Sequence, residues 1–466
     1  MKKMTFALFF GNRGFFPENL IAGARQELSS AITALGYDYI TCGKELTRYG
    51  AVETPQEGEK YARFLEEHKN KYDGVILCLP NFGDETGATA ALKKCGVPVL
   101  IMAYPDELSK MNFTSRRDAF CGKLSVMDVF YQYGIKYTAW QPHVLTPSDT
   151  EFSRQMRQFA AVCRIVNNMH EFTIGAVGAR TTAFKTVRFD ELAMQKKGIT
   201  VEALDLSDVF QRVRSISENS KKFIDRKNEL SAYSDFSRVP EKAFSNLVKV
   251  SLVLDAIISE YKMDALALRC WMEMEKELGI APCVLLGELN SRLFPAACEL
   301  DVGNALAMTA LRLASEKPAA CLDWNNNYGS EPDKCILFHC GPVAKSLMTG
   351  KGEVIDHPMF AKALGAGCGW GPCSGRIAPA PMTFASSKTE NGKIYFYSGE
   401  GKFTDDKIPQ EFFGCAGVAQ ITALEHALLI IGRQGFRHHV SVTPGHYGQA
   451  LDEALINYLE YEKTDL

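Results

Sequence analysis

Gly74-Val75-Ile76-Leu77-Cys78-Leu79-Pro80, followed by Asn81-Phe82-Gly83-Asp84, is the stretch that decides the fold. An unbroken apolar run closed by proline and a glycine-bearing loop reads as a strand buried on both faces. Residues 86–94 then read as a helix and 97–103 as another apolar strand. Upstream, 5–10 is an apolar strand, 18–35 has helical periodicity, 37–42 is a strand and 57–70 a charged amphipathic helix. Strands alternating with helices predict βαβ units around a parallel sheet. Ligands commonly sit at the carboxyl ends of such strands. Those ends hold Gly11-Asn12-Arg13-Gly14, Asn81-Phe82-Gly83-Asp84 and Tyr104-Pro105-Asp106. Asn12 and Arg13 are therefore substrate-contact candidates, with a tight turn as the plainer alternative. No GxGxxG or Walker pattern occurs, so neither glycine loop is a phosphate cradle by motif.

The polar segment 141–148 contains two prolines and reads as a linker. A second α/β series follows: helix 153–169, strand 173–177, helix 241–261, strand 265–270, helix 304–314, and strand 319–322 ending at Asp323. Beyond about residue 345, glycine and proline cluster at 365–381. Two apolar runs, 381–387 and 393–398, flank Asn391-Gly392, a strong hairpin signal. Helices are expected near 420–431 and 449–461. The fold class expected is α/β: two Rossmann-like parallel-sheet domains, 1–145 and 146–345, then a mainly β domain, 346–466, with closing helices. The length of 466 residues exceeds what one core usually supports.

A charged share of 23% and net charge of −3 argue against a basic nucleic-acid binder and give no reason to expect a membrane partner. No apolar run approaches the ~18–20 residues that span a bilayer. The basic, apolar start reads as a first strand rather than a signal peptide, because Gly11-Asn12-Arg13-Gly14 follows it. The 14 scattered cysteines, with no Cys-x-x-Cys, read as reduced buried thiols and a cytoplasmic setting.

Three segments carry potential metal ligands: Cys298-Glu299-Leu300-Asp301, Cys321-Leu322-Asp323-Trp324, and Arg437-His438-His439 with Thr443-Pro444-Gly445-His446. A carboxylate at the end of a buried strand is costly unless paired or metal-bound. Two carboxylates and an imidazole suit Mn²⁺, Mg²⁺, Co²⁺ or a similar cation better than a thiolate zinc site does. Singly, each could be a helix cap or an ion pair; Asp301, before Val302-Gly303, fits an N-cap as well as a ligand.

Taken together, these segments resemble the L-fucose/L-arabinose isomerase superfamily. The run Cys298-Glu299-Leu300-Asp301-Val302 is similar to the segment bearing that family's first metal-binding glutamate. The strand ending at Asp323 is similar to the segment bearing its second ligand, 24 positions on. His439 to His446 resembles the closing segment in which one histidine binds metal, and the resemblance puts that role on His439. Phe10 to Gly14 and Leu79 to Gly83 also look like fucose-isomerase-like proteins. Arabinose isomerases use a further histidine, and His339 lies near the matching interval, with a core histidine as the alternative.

The resemblance implies an aldose–ketose isomerase working through a cis-enediol, with Glu299 and Asp323 as both metal ligands and acid–base groups. It implies a homo-oligomer, trimer or hexamer, acting on a pentose, 6-deoxyhexose or 6-modified hexose such as sulfoquinovose. Trp271 is a candidate sugar wall; Arg13, Arg376 and Arg437 are candidates for an anionic sugar group, and His446 for a substrate contact. The competing readings are a non-catalytic sugar-binding protein and another metal-assisted carbohydrate enzyme, such as an aldolase or epimerase.

Overall fold

The computed structural model describes residues 3–181 and 183–466. The chain divides into two compact units, Met1–Asn167 with Glu453–Glu460, and Asn168–Asp452 with Tyr461–Leu466.

The first unit is built on β1 (Thr5–Phe10), β2 (Asp38–Thr41), β3 (Gly74–Leu79) and β4 (Val99–Ala103). All pair in parallel, in the order β2-β1-β3-β4. β3 is apolar throughout and β1 is apolar and buried after Thr5, as in a parallel sheet covered on both faces. The helices Pro55–Glu67 and Glu85–Leu92 cross at Gly58 and Gly87, where a Cβ on Gly58 would collide with the Gly87 carbonyl. The late segment Glu453–Tyr458 belongs to this unit. Tyr458 is 3.0 Å from the Thr138 hydroxyl, and Asn457 donates to the Tyr137 carbonyl at 2.8 Å.

The second unit repeats that winding. β5 (Phe172–Val177), β6 (Ile199–Leu204), β7 (Ala265–Leu268) and β8 (Ala296–Cys298) form a parallel sheet in the order β6-β5-β7-β8. The helix Val302–Ser315, buried over almost its whole length, lies between β7–β8 and a larger mixed sheet.

That sheet comprises β9 (Ala320–Asn327), β10 (Lys334–His339), β11 (Glu353–Asp356), β12 (Trp370–Arg376), β13 (Ala380–Glu390), β14 (Lys393–Phe403), β15 (Cys415–Gln420), β16 (His439–Pro444) and β17 (Glu462–Lys463). Its order is β11-β12-β15-β10-β9-β16-β13-β14-β17. β14 also pairs with β15 through Lys402–Gln420 and Phe403–Ala419, so six strands close into a barrel. The hairpin read at Asn391-Gly392 is present, with both residues at positive φ, and its strands run to 11 residues each. The strand read at 319–322 does not stop at Asp323. It continues to Asn327 and joins this mixed sheet rather than the parallel one, because its partners are β10 and β16.

Candidate metal centre

Glu299 is placed by an abrupt turn. β8 ends at Cys298, and Glu299 and Leu300 both adopt left-handed backbone, φ 61° and 59°. Such a conformation costs about 1–3 kcal/mol per residue outside glycine and persists only where surroundings enforce it. Here Leu300 N–H donates to the Leu268 carbonyl and Asp301 N–H to the Cys298 carbonyl, both at 3.1 Å. The turn leaves the Glu299 side chain at the sheet end, where the Trp271 indole donates to its Oε1 at 3.1 Å.

Asp301 has two tasks. Its Oδ1 caps the helix Val302–Ser315 by accepting from Asn304 N–H at 3.0 Å, and it ion-pairs with buried Arg437. Its Oδ2 accepts from the Asn304 amide at 2.7 Å and lies 2.8 Å from His439 Nδ1. Holding one ring nitrogen of a histidine with a carboxylate fixes the other toward a metal. His439 is fully buried at the start of β16, directly opposite Asp323 on β9. Its free Nε2 lies 2.8 Å from Glu299 Oε2 and 3.3 Å from Asp323 Oδ1, out of line for a hydrogen bond with either.

His339 ends β10 and offers its own buried, unpartnered Nε2, while its Nδ1 accepts from Cys340 N–H at 2.9 Å. Glu299, His339 and His439 present ligand atoms within 4.8 Å of one another, and so do Asp323, His438 and His439. The charges are mutually adjusted. Burial raises the proton affinity of Glu299, but the His439 contact and the neighbouring imidazoles outweigh it and hold the carboxyl at about 2. Burial depresses His339, while Cys340, Asp323 and Glu299 draw it up to about 9. Two carboxylates beside the unpartnered Nε2 of His439 form a donor set that fits a divalent cation, while the Cys340 N–H on Nδ1 leaves the proton of His339 on Nε2, a donor rather than a ligand.

The residues read from sequence therefore separate. Glu299, Asp323, His439, His339 and Trp271 converge. Arg376 does not: its guanidinium donates to the Gly375, Pro409 and Phe412 carbonyls. His446, beyond the far end of β16, is exposed near Glu400 and the Gly401 carbonyl. Arg437 is not a free anion receptor, since it is buried against Asp301. Asn12 and Arg13 belong to the first unit. Asn12 is buried between Glu53 and Asn81, and Arg13 pairs with Glu85 and donates to the Gly83 carbonyl at 2.9 Å. Sequence reading missed Phe184, whose ring lies 5.6 Å from Trp271 and 5.8 Å from His439. Cys321, named there only within the strand leading to Asp323, also brings its sulfur into the neighbourhood of Asp301 and His439. A lone aromatic in a loop and a cysteine in an apolar strand carry no periodic signal.

Fold and cluster define the class: an α/β protein with a candidate divalent-metal centre at its strand ends. A family model described as fucose/sulfoquinovose isomerase, N-terminal domain, matches residues 7–170, and one described as L-fucose isomerase, C-terminal domain, matches 337–465. A sulfoquinovose isomerase from Alkalicoccus urumqiensis is 23% identical over 390 residues, 81% of this chain and 83% of the relative. One from Priestia megaterium is also 23% identical, over 62% of this chain and 64% of its own length. Among solved structures, a solute-binding protein from Burkholderia multivorans aligns at a TM-score of only 0.19 and 9% identity, covering 68% of this chain and 95% of that one. The chain belongs to the fucose-isomerase-like superfamily and is an aldose–ketose sugar isomerase. Among the described residues, no helix is long and apolar enough to cross a membrane.

Proposed function

We propose that this isomerase is metal-dependent, with Glu299, Asp323 and His439 as ligands and His339, whose Nδ1 is taken by the Cys340 N–H, as a hydrogen-bond donor beside them, and that Mn²⁺ is the preferred ion. The observation carrying this is the convergence of the ligand atoms with Asp323 Oδ1, His339 Nε2 and His439 Nε2 all buried and unpartnered. Bound there, a divalent cation would supply Lewis-acid stabilisation to the two adjacent sugar oxygens as charge develops on them. The protein's own part is proton movement. Aldose and ketose differ by two hydrogens between C1 and C2, so one group takes the proton beside the carbonyl and a group returns it to the neighbouring carbon. Glu299 and Asp323 take the acid–base roles, and the Trp271 indole steadies Glu299.

The substrate class is a pentose, 6-deoxyhexose or 6-modified hexose. Sulfoquinovose is favoured within it by the activity named for the relatives. A cytoplasmic homo-oligomer, trimer or hexamer, belongs to the same proposal. The first part is supported by the 14 free thiols, the second by the family resemblance. The test is isomerisation of a sugar panel followed by NMR, before and after chelation. Turnover should vanish on chelation and return with Mn²⁺. Turnover indifferent to exhaustive chelation rules out the metal mechanism, and an aldol or epimer product rules out isomerisation.

A further inference from the structure

Beside the metal cluster stand two buried polar side chains that the isomerisation chemistry leaves unused. Glu275, in the helix Glu273–Leu278, is 2% exposed, and neither carboxyl oxygen has a hydrogen-bond partner. His357, which precedes the helix Pro358–Leu364, is also 2% exposed, and its Nδ1 has none. The two are neighbours: a Cβ built on Gly369 would lie 3.0 Å from His357 Cβ and 3.7 Å from Glu275 Cγ. Buried polar atoms are almost always satisfied, so two adjacent unsatisfied side chains point to a missing ligand.

Their position says which ligand. From Glu299 the wall runs through Trp271 to Phe360, with ring centroids 6.0 Å apart, and Phe360 stacks on His357 at 3.9 Å. His357 then meets Phe413 at 5.8 Å, and Phe413 meets Phe338 at 5.2 Å. Phe338 packs with Ile336, Ala416 and Val418 on one face of β10, and His339, next along the strand, turns to the other, where its ring lies 5.7 Å from His439. Trp271 and Phe360 thus join His357 to the Glu299 end of the metal cluster.

Both groups stay uncharged near neutrality. Burial pushes Glu275 up to about 8 and His357 down to about 4. A neutral carboxyl and a neutral imidazole each offer both a donor and an acceptor, the pairing that a hydroxyl group matches.

We infer that Glu275 and His357 form a hydroxyl-binding subsite for the sugar chain beyond the two carbons that isomerise. The inference rests on the sugar-isomerase reading and adds specificity-determining residues to it. Burying that carboxyl without a partner should cost the free protein stability.

The experiment uses Mn²⁺-loaded protein and calorimetric binding of xylitol, sorbitol and galactitol, with hexitols deoxygenated singly at carbons 3 to 6. Wild type should bind at least one deoxy analogue about tenfold more weakly than its parent. Glu275→Leu and His357→Phe should each bind the parent about tenfold more weakly and lose the discrimination. Glu275→Gln, which keeps a donor and an acceptor, should retain most of it. Glu275→Leu should also melt higher than wild type, a combination that a purely structural carboxyl would not produce. Unchanged discrimination in Glu275→Leu and His357→Phe, with native melting curves, overturns the subsite alone. Failure of wild type to bind any alditol overturns the sugar reading with it.

Discussion

In the first unit the loops after β1 and β3 meet where the winding reverses, and their amides close on one another. Asn81 donates to Asn12 Oδ1 at 2.5 Å and accepts from Gly83 N–H at 3.2 Å, and Asn12 donates to Glu53. In the second unit, wound in the same order, the loops after β7 and β8 bring Trp271 against Glu299. There the facing atoms of Asp323, His339 and His439 stay unpartnered. The two parallel sheets share their winding, but the second unit adds β9, β10 and β16, which carry Asp323, His339 and His439 to the strand ends. Buried polar groups that satisfy one another hold loops together, whereas convergent groups left open mark where a ligand completes the structure.

The largest effect should come from breaking the open set. Glu299→Gln and Asp323→Asn should each lower turnover by about 10⁴-fold while melting near wild type, because the lost group is both ligand and acid–base catalyst. Steady-state kinetics beside thermal melts checks this, and full activity in either variant refutes the assignment. Next, Asp301→Ala should cost about 3–5 kcal/mol in denaturant unfolding, since Arg437 would remain buried without its counter-charge.

Glu275 supplies a pH signature. The folded carboxyl keeps its proton to about 8, while the unfolded one releases it near 4.5. The native state therefore binds more protons between those values, and stability should fall as pH rises through that window and level off above it, by up to about 5 kcal/mol. Glu275→Leu should flatten that slope in melts taken from pH 5 to 9. The smallest effect belongs to the closed set: Asn12→Ala should lose about 1–3 kcal/mol of stability with metal content unchanged.

The apolar run at Gly74–Leu79, the alternation around it and the Asn391-Gly392 turn were legible because each is a local signal. Glu299, Asp323 and His439 were legible only through resemblance, since any one of them alone reads equally well as a cap or ion pair. What stayed hidden depends on long-range closure. Asp301 and Arg437 lie 136 residues apart, and nothing local announces their pairing or the aiming of His439. The assignment of β9 to the barrel was hidden too, because an apolar strand carries the same pattern in either sheet. Glu275 and His357 escaped notice because burial, not residue type, distinguishes them.

The most direct measurement is Mn²⁺ binding to chelator-stripped protein, read by calorimetry and elemental analysis. Wild type should take up one ion per chain, and Glu299→Gln, Asp323→Asn and His439→Asn should each weaken binding by more than about 100-fold, because losing a ligand costs more than losing its orienting partner. Equal affinity in all four proteins, or no uptake of any divalent cation by the wild type, would contradict a metal centre built from these strand ends.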